Sequence, residues 1–157
     1  MFNRKKEGFT LVELLIVIAI IVILFAVILV AVDPPKRLGQ ARDAVRRQDV
    51  RDILEAVQQF MVDNDGTYPT GLDSVAASFQ MLGTDAAACD GCAPETTLAA
   101  CLDISGDLVE EYLADIPFDP ATGDAGNTDY AINRTAGDRI EIVACTPEIA
   151  ASISVKR

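Results

Sequence analysis

One stretch constrains this chain more than any other. From Leu14 to Val32 there are 19 consecutive residues without a charge, and nothing later in the sequence resembles it. Counted from Phe9, the run reaches 24 residues and holds one charge, Glu13. A helix of that length, rising about 1.5 Å per residue, crosses a hydrocarbon core of about 30 Å. The chain is therefore either anchored in a membrane or made with a segment that is cut away. The whole sequence has 157 residues, which suits one ordinary domain besides the apolar run.

Charge divides the remainder. Between residues 36 and 52 six cations (Lys36, Arg37, Arg42, Arg46, Arg47, Arg51) stand against Asp43, Asp49 and Asp52. From residue 53 onward only Arg134, Arg139, Lys156 and Arg157 oppose 18 carboxylates. A basic belt thus follows the apolar run, and an acidic domain follows the belt. The acidic domain repels nucleic acid and anionic lipid, so direct nucleic-acid binding by it is not expected. The chain has no His, which excludes Ser-His-Asp triads, His-ligated metals and imidazole acid–base chemistry. There is also no G-x-S-x-G and no Gly-rich phosphate loop. The expectation is a protein that is not an enzyme.

Asp33-Pro34-Pro35 interrupts the apolar run, because two prolines remove two amide donors and kink or break a helix. A helical pattern resumes at Lys36. Leu38, Ala41 and Val45 form one stripe; Val50, Ile53, Val57 and Phe60 form another, rotated by roughly 100°. One helix is thereby expected to serve two partners, ending near Asp63-Asn64-Asp65-Gly66 with Gly66 left-handed. Leu72–Leu82 and Ser105–Leu113 read as short helices, the second with Leu108, Val109 and Tyr112 inward. Ile116-Pro117-Phe118-Asp119-Pro120 terminates it. Thr128–Asn133 and Arg139–Cys145 alternate as strands about a turn at Ala136-Gly137-Asp138, and Ser152–Lys156 reads as a further strand.

Cys89, Cys92, Cys101 and Cys145 all follow the apolar run. Outside the cytoplasm an even set of this kind reads as disulfides, and sequence does not separate the three pairings. Zinc is the rival, but only Cys89-Asp-Gly-Cys92 has knuckle spacing. The same pair raises a redox role, without a thioredoxin-like context around it. Thr84–Thr97 is small and polar and reads as a stapled loop. Two disulfides are expected, with Cys145 tying the strand region to the Cys89–Cys101 segment.

Residues 8–14, G-F-T-L-V-E-L, lie between a basic leader and the apolar run. There they resemble the N-terminus of type IV prepilins and pseudopilins. Ala41-Arg42, Arg47-Gln48-Asp49 and Gly66-Thr67-Tyr68-Pro69 resemble the end of the long pilin helix and the turn after it. Ile116–Pro120 with Thr122-Gly123 resembles the loop before the hairpin of major pilins and of the major type II secretion pseudopilin. The resemblance implies an α+β fold: a long N-terminal helix, transmembrane in its first half, packed on a small antiparallel β-sheet with a disulfide-stapled αβ loop. It divides the chain into a leader (1–8), a transmembrane and filament-core helix (9–35), the amphipathic second half of that helix (36–65) and an extracytoplasmic head (66–157).

The resemblance also implies roles. Cleavage falls after Gly8, and the new α-amine of Phe9 is methylated. Glu13 pairs with that amine on a neighbouring subunit and sets the register of assembly. A carboxylate at the bilayer centre costs of order 2.5 kcal/mol or more; a residue near the interface reaches the headgroups instead. Arg4, Lys5 and Lys6 favour a cytoplasmic N-terminus, whereas the belt after the run favours the opposite; the resemblance decides for the first. The implied partners are copies of the chain itself, prepilin peptidase, an inner-membrane platform protein and an assembly ATPase. Lipid surrounds the anchor before assembly. The implied location is the inner membrane as a single-pass precursor, then an extracellular or periplasmic filament. By likeness to the secretion pseudopilin, Asp119, Asp124, Asn127 and Asp129 are candidates for calcium; ordinary turn chemistry accounts for the same residues. The function implied is a pilus subunit, with a secretion pseudopilin and a membrane-tethered binding domain as alternatives.

Overall fold

A computed structural model describes residues 8–76, 78–86, 89, 92 and 101–157. The leader before Gly8 and most of the Thr84–Thr97 segment lie outside the described residues. Two compact units result, Met1–Leu38 and Gly39–Arg157.

In the first unit, α1 runs Leu11–Val32. More than half of its residues are Val or Ile, which are indifferent helix formers in water. In lipid every backbone amide must be satisfied within the segment, and that requirement selects the helix regardless. α1 is long and apolar enough to cross a membrane, and none of its residues is buried among the described residues. It ends at Asp33, which is left-handed (φ 47°), and α2 starts directly at Pro34. Prolines are tolerated in a first turn, where their missing amides are unneeded, so Pro34-Pro35 ends one helix and opens the next.

α2 spans Pro34–Asp63. It stops where expected: Asn64 Nδ2 donates to the carbonyl of Phe60 (2.9 Å), the Gly66 amide bonds the Met61 carbonyl (2.7 Å), and Gly66 is left-handed (φ 82°). Its buried face differs from the expectation. Gly39, Asp43, Arg46, Val50, Ile53 and Val57 are all buried, and their spacing of four and three residues makes them one continuous line. Leu38, Ala41 and Val45 are exposed. The helix thus does not change face; its inward stripe changes chemistry, from charged at Asp43 and Arg46 to apolar from Val50. Gly39 lets Ile149 pack close there, since a Cβ would meet Ile149 Cγ1 at 3.0 Å.

The sheet is an antiparallel four-stranded meander in the order β1 (Gln80–Met81), β2 (Tyr130–Arg134), β3 (Ile140–Ala144), β4 (Ile153–Lys156). Ile132 faces Ile142 and Ile142 faces Val155, fixing the register. Tyr130, Ile132, Ile140, Ile142 and Ile153 pack with Val50, Ile53 and Val57 in one core. The alternate residues Met81, Ala131 and Val143 pack on the other side with Phe79, Cys89, Cys92 and Cys145. Both faces of the central strands are therefore covered, one by α2 and one by Phe79, Cys89 and Cys92. The disulfides are Cys89–Cys101 and Cys92–Cys145, so Cys145 does tie the strand region to the Cys89–Cys101 segment. The expected α+β fold, with its stapled loop, is what forms.

Three element assignments need correction. Leu72–Leu82 is not a helix: Asp73 Oδ1 accepts the Val75 amide (2.8 Å), and Gln80 bridges the Asp73 amide and the Gly71 carbonyl (2.9 and 3.1 Å). These local bonds compete with helical ones and leave Gln80–Met81 to join β2. The second helix, α3, is only Ser105–Leu108; Val109 is extended and Glu110 left-handed (φ 76°), which ends it before Tyr112. β2 begins at Tyr130 and not at Thr128, since left-handed Asp129 (φ 58°) precedes it.

Candidate functional site

Gly8, Phe9 and Thr10 precede α1 without regular structure, and Phe9 is almost wholly exposed. Thr10 caps the helix. Its Oγ1 accepts the Glu13 amide (3.2 Å), while Glu13 Oε2 accepts both the Thr10 amide and the Thr10 hydroxyl (2.8 Å each). This is a capping box, in which two backbone donors at the helix start are satisfied reciprocally. A carboxylate in the first turn also complements the positive end of the helix dipole. Reading Glu13 only as an assembly residue overlooks this local role, although Thr10-Leu11-Val12-Glu13 spells it out.

The head holds a second polar cluster, which the sequence reading dispersed along a solvated belt. Arg46 is fully buried in it. Nε and Nη2 fork onto Asp119 (2.6 and 2.9 Å), Nη1 donates to Asp43 (2.8 Å), and Nη2 also reaches Glu148 (3.1 Å). Asp43 in turn accepts the amides of Glu148, Ile149 and Ala150 (2.9, 2.9 and 2.7 Å). Asp119 accepts those of Ala121 and Thr122 (2.8 and 3.2 Å). One arginine and two carboxylates thereby fasten the 119–122 and 148–150 loops to α2. Burial alone raises the pKa of Asp43, but the three amides and Arg46 outweigh it and hold the carboxyl well below the usual range. Asp119 is lowered in the same way: burial opposes, and Arg46 and the two amides prevail. Arg46 is raised, first by its bond to Asp119. One turn along α2, Asp49 accepts the Tyr130 hydroxyl (2.6 Å). Burial pushes Asp49 up, with the tyrosine bond opposing.

The calcium candidates are spread over different tasks. Asp119 is bound to Arg46. Asp124 Oδ1 accepts the amides of Gly126 and Asn127 (2.8 and 2.9 Å), and Asn127 Oδ1 accepts that of Asp129 (3.1 Å). These are turn-forming bonds. Among the described residues no three His, Cys, Asp or Glu side chains are grouped to hold a metal ion.

The prokaryotic N-terminal methylation motif matches residues 3–29. The match supports a type IV pilin or pseudopilin. No curated protein and no solved structure matches the chain significantly. The pilin motif spans Gly8, Phe9, the Thr10–Glu13 box and most of α1, so the capping box and the membrane-competent helix belong to one recognisable segment. The motif and the length of α1 together support a membrane-anchored precursor. In the buried cluster around Arg46 the polar atoms are spent on holding loops.

Proposed function

We propose that the chain is a filament subunit, cleaved after Gly8 by prepilin peptidase, methylated at Phe9 and polymerised through α1 into a pilus. The observation that carries this is the pairing of the methylation motif with an apolar helix long enough to cross a membrane, none of whose described residues is buried. Before assembly that surface is satisfied by lipid. In a filament the α1 helices of neighbouring copies replace lipid, an exchange between two apolar surroundings that need not cost much. The remaining partners are the platform protein and the assembly ATPase, and the filament stands in the periplasm or outside the cell. In the assembled state Glu13 pairs with the Phe9 amine of a neighbour, exchanging its Thr10 bonds for a charged partner. The likeness of Ile116–Pro120 to the secretion pseudopilin supports a second reading, a short filament serving type II secretion.

Mass spectrometry of the protein from its native host tests the first step. A chain beginning at N-methylated Phe9 with the apolar run retained is expected; one beginning near Ala31 or Asp33 sinks the filament reading. Imaging of a deletion strain separates the two readings, since loss of surface filaments marks a pilus and loss of secreted proteins with filaments intact marks a pseudopilus.

A further inference from the structure

The outward side of α2 within the head is flanked by two grooves of opposite charge. On the β4 side, Arg51, Lys156 and Arg157 line a shallow groove with Leu54 and Val155. On the other side, Asp52, Glu55 and Glu111 line a groove with Ala56 and Leu113, and no cation lines it. Glu55 stands on the ridge between them and touches both. Arg51, Lys156, Arg157, Glu55 and Glu111 are all exposed. Some of these charges already have company. Lys156 meets Glu141 (2.6 Å), Arg157 Nη1 reaches Gln58 Oε1 (3.4 Å) and Asp52 accepts from Gln48 (2.6 Å). The second groove thus gathers three carboxylates and no cation among its lining residues, and a positively charged surface complements it.

We propose that this ridge is a subunit–subunit contact, in which the basic groove of one copy seats against the acidic groove of the next. The inference rests on the filament reading above and names the surface that reading requires. The two patches are different and lie on opposite flanks of one helix. Their contact is therefore heterologous: each copy that docks leaves one basic and one acidic flank open, so the contact propagates and does not close on itself. The half-buried Val155 and Leu113 supply apolar area beneath the charged rims. The charges set register and partner choice more than affinity.

The test uses two full-length variants in the native host. Arg51→Glu with Arg157→Glu makes both flanks acidic; Asp52→Lys with Glu111→Lys makes both basic. Each variant alone should show a loss of surface filaments of roughly tenfold or more, because like charges directly opposed are repelled. Expressed together they should restore filaments containing both chains, because each supplies what the other lacks. That rescue cannot come from a misfolded subunit. Either variant assembling alone like the unaltered chain, or no rescue on co-expression, overturns the contact. Absence of filaments from the unaltered chain overturns the proposed function, and the contact with it.

Discussion

By composition α1 is the apolar helix and the Gly39–Asp63 part of α2 the polar one; by burial the order reverses. α1 buries no residue among those described, while α2 buries an arginine and an aspartate as completely as its isoleucine. Hydrophobicity states what a surface must avoid, and the fold states what is there to cover it. Every described residue of α1 is exposed, and in the proposed filament lipid or other copies supply its environment. The inward stripe of α2 meets loop amides that Asp43 accepts and loop carboxylates that Arg46 binds, and a charged residue satisfies those better than a leucine can.

The contrast can be broken most forcefully at Arg46. Arg46→Met strands Asp43 and Asp119 in the interior, and breaking a buried pair in that way costs about 3–5 kcal/mol. Urea unfolding of the full chain in detergent should show a loss of that size, whereas an exposed arginine would cost almost nothing. Removing Cys92–Cys145 by paired alanine substitution should cost about 2–4 kcal/mol. It detaches the cysteine segment from the sheet, and proteolysis before β2 should accelerate. A smaller effect is expected in acid. The carboxyls of Asp43 and Asp119 are lowered in the fold, so their contribution is complete above the unfolded value of about 4 and is lost as pH falls through the folded values. The head's melting temperature should fall steeply below about pH 4; a flat profile there would mean the cluster is not ionised. Calcium should leave that temperature unchanged, because Arg46 already occupies Asp119, and a clear rise would return Asp119 to a ligand role. The smallest effect sharpens the comparison from the other side. Glu13→Ala should change head stability by less than about 0.5 kcal/mol, as surface changes do, while filaments disappear. Normal filaments from that variant would reduce Glu13 to its capping role.

Much of this was legible because it is local. The break at Asp33-Pro34-Pro35, the stop at Gly66, the hairpin about Ala136-Gly137-Asp138 and the cleavage motif each rest on a few adjacent residues. The T-x-x-E box at Thr10 was equally local and was missed because the carboxylate already had a role. Arg46 was illegible for the opposite reason. Its partners Asp119 and Glu148 lie 73 and 102 residues away, and nothing in Ala44-Val45-Arg46-Arg47 distinguishes the arginine that turns inward from the one that stays out. Leu72–Leu82 misled because its apolar spacing is helical, whereas Gln80 and Asp73 spend their side chains closing a loop.

The sheet's borders carry one more consequence. β1 is two residues long, and β4, four residues long, carries a lysine at its end, joined to Glu141 on β3. Borders this short, one of them charged, give an incoming backbone little to zip onto, and so resist the open-ended strand stacking that turns folded domains into amyloid. In the proposed filament, where heads would stand at high local concentration, that matters more than for a dilute monomer. Crowding can multiply encounters between heads without offering them an alternative way to stick.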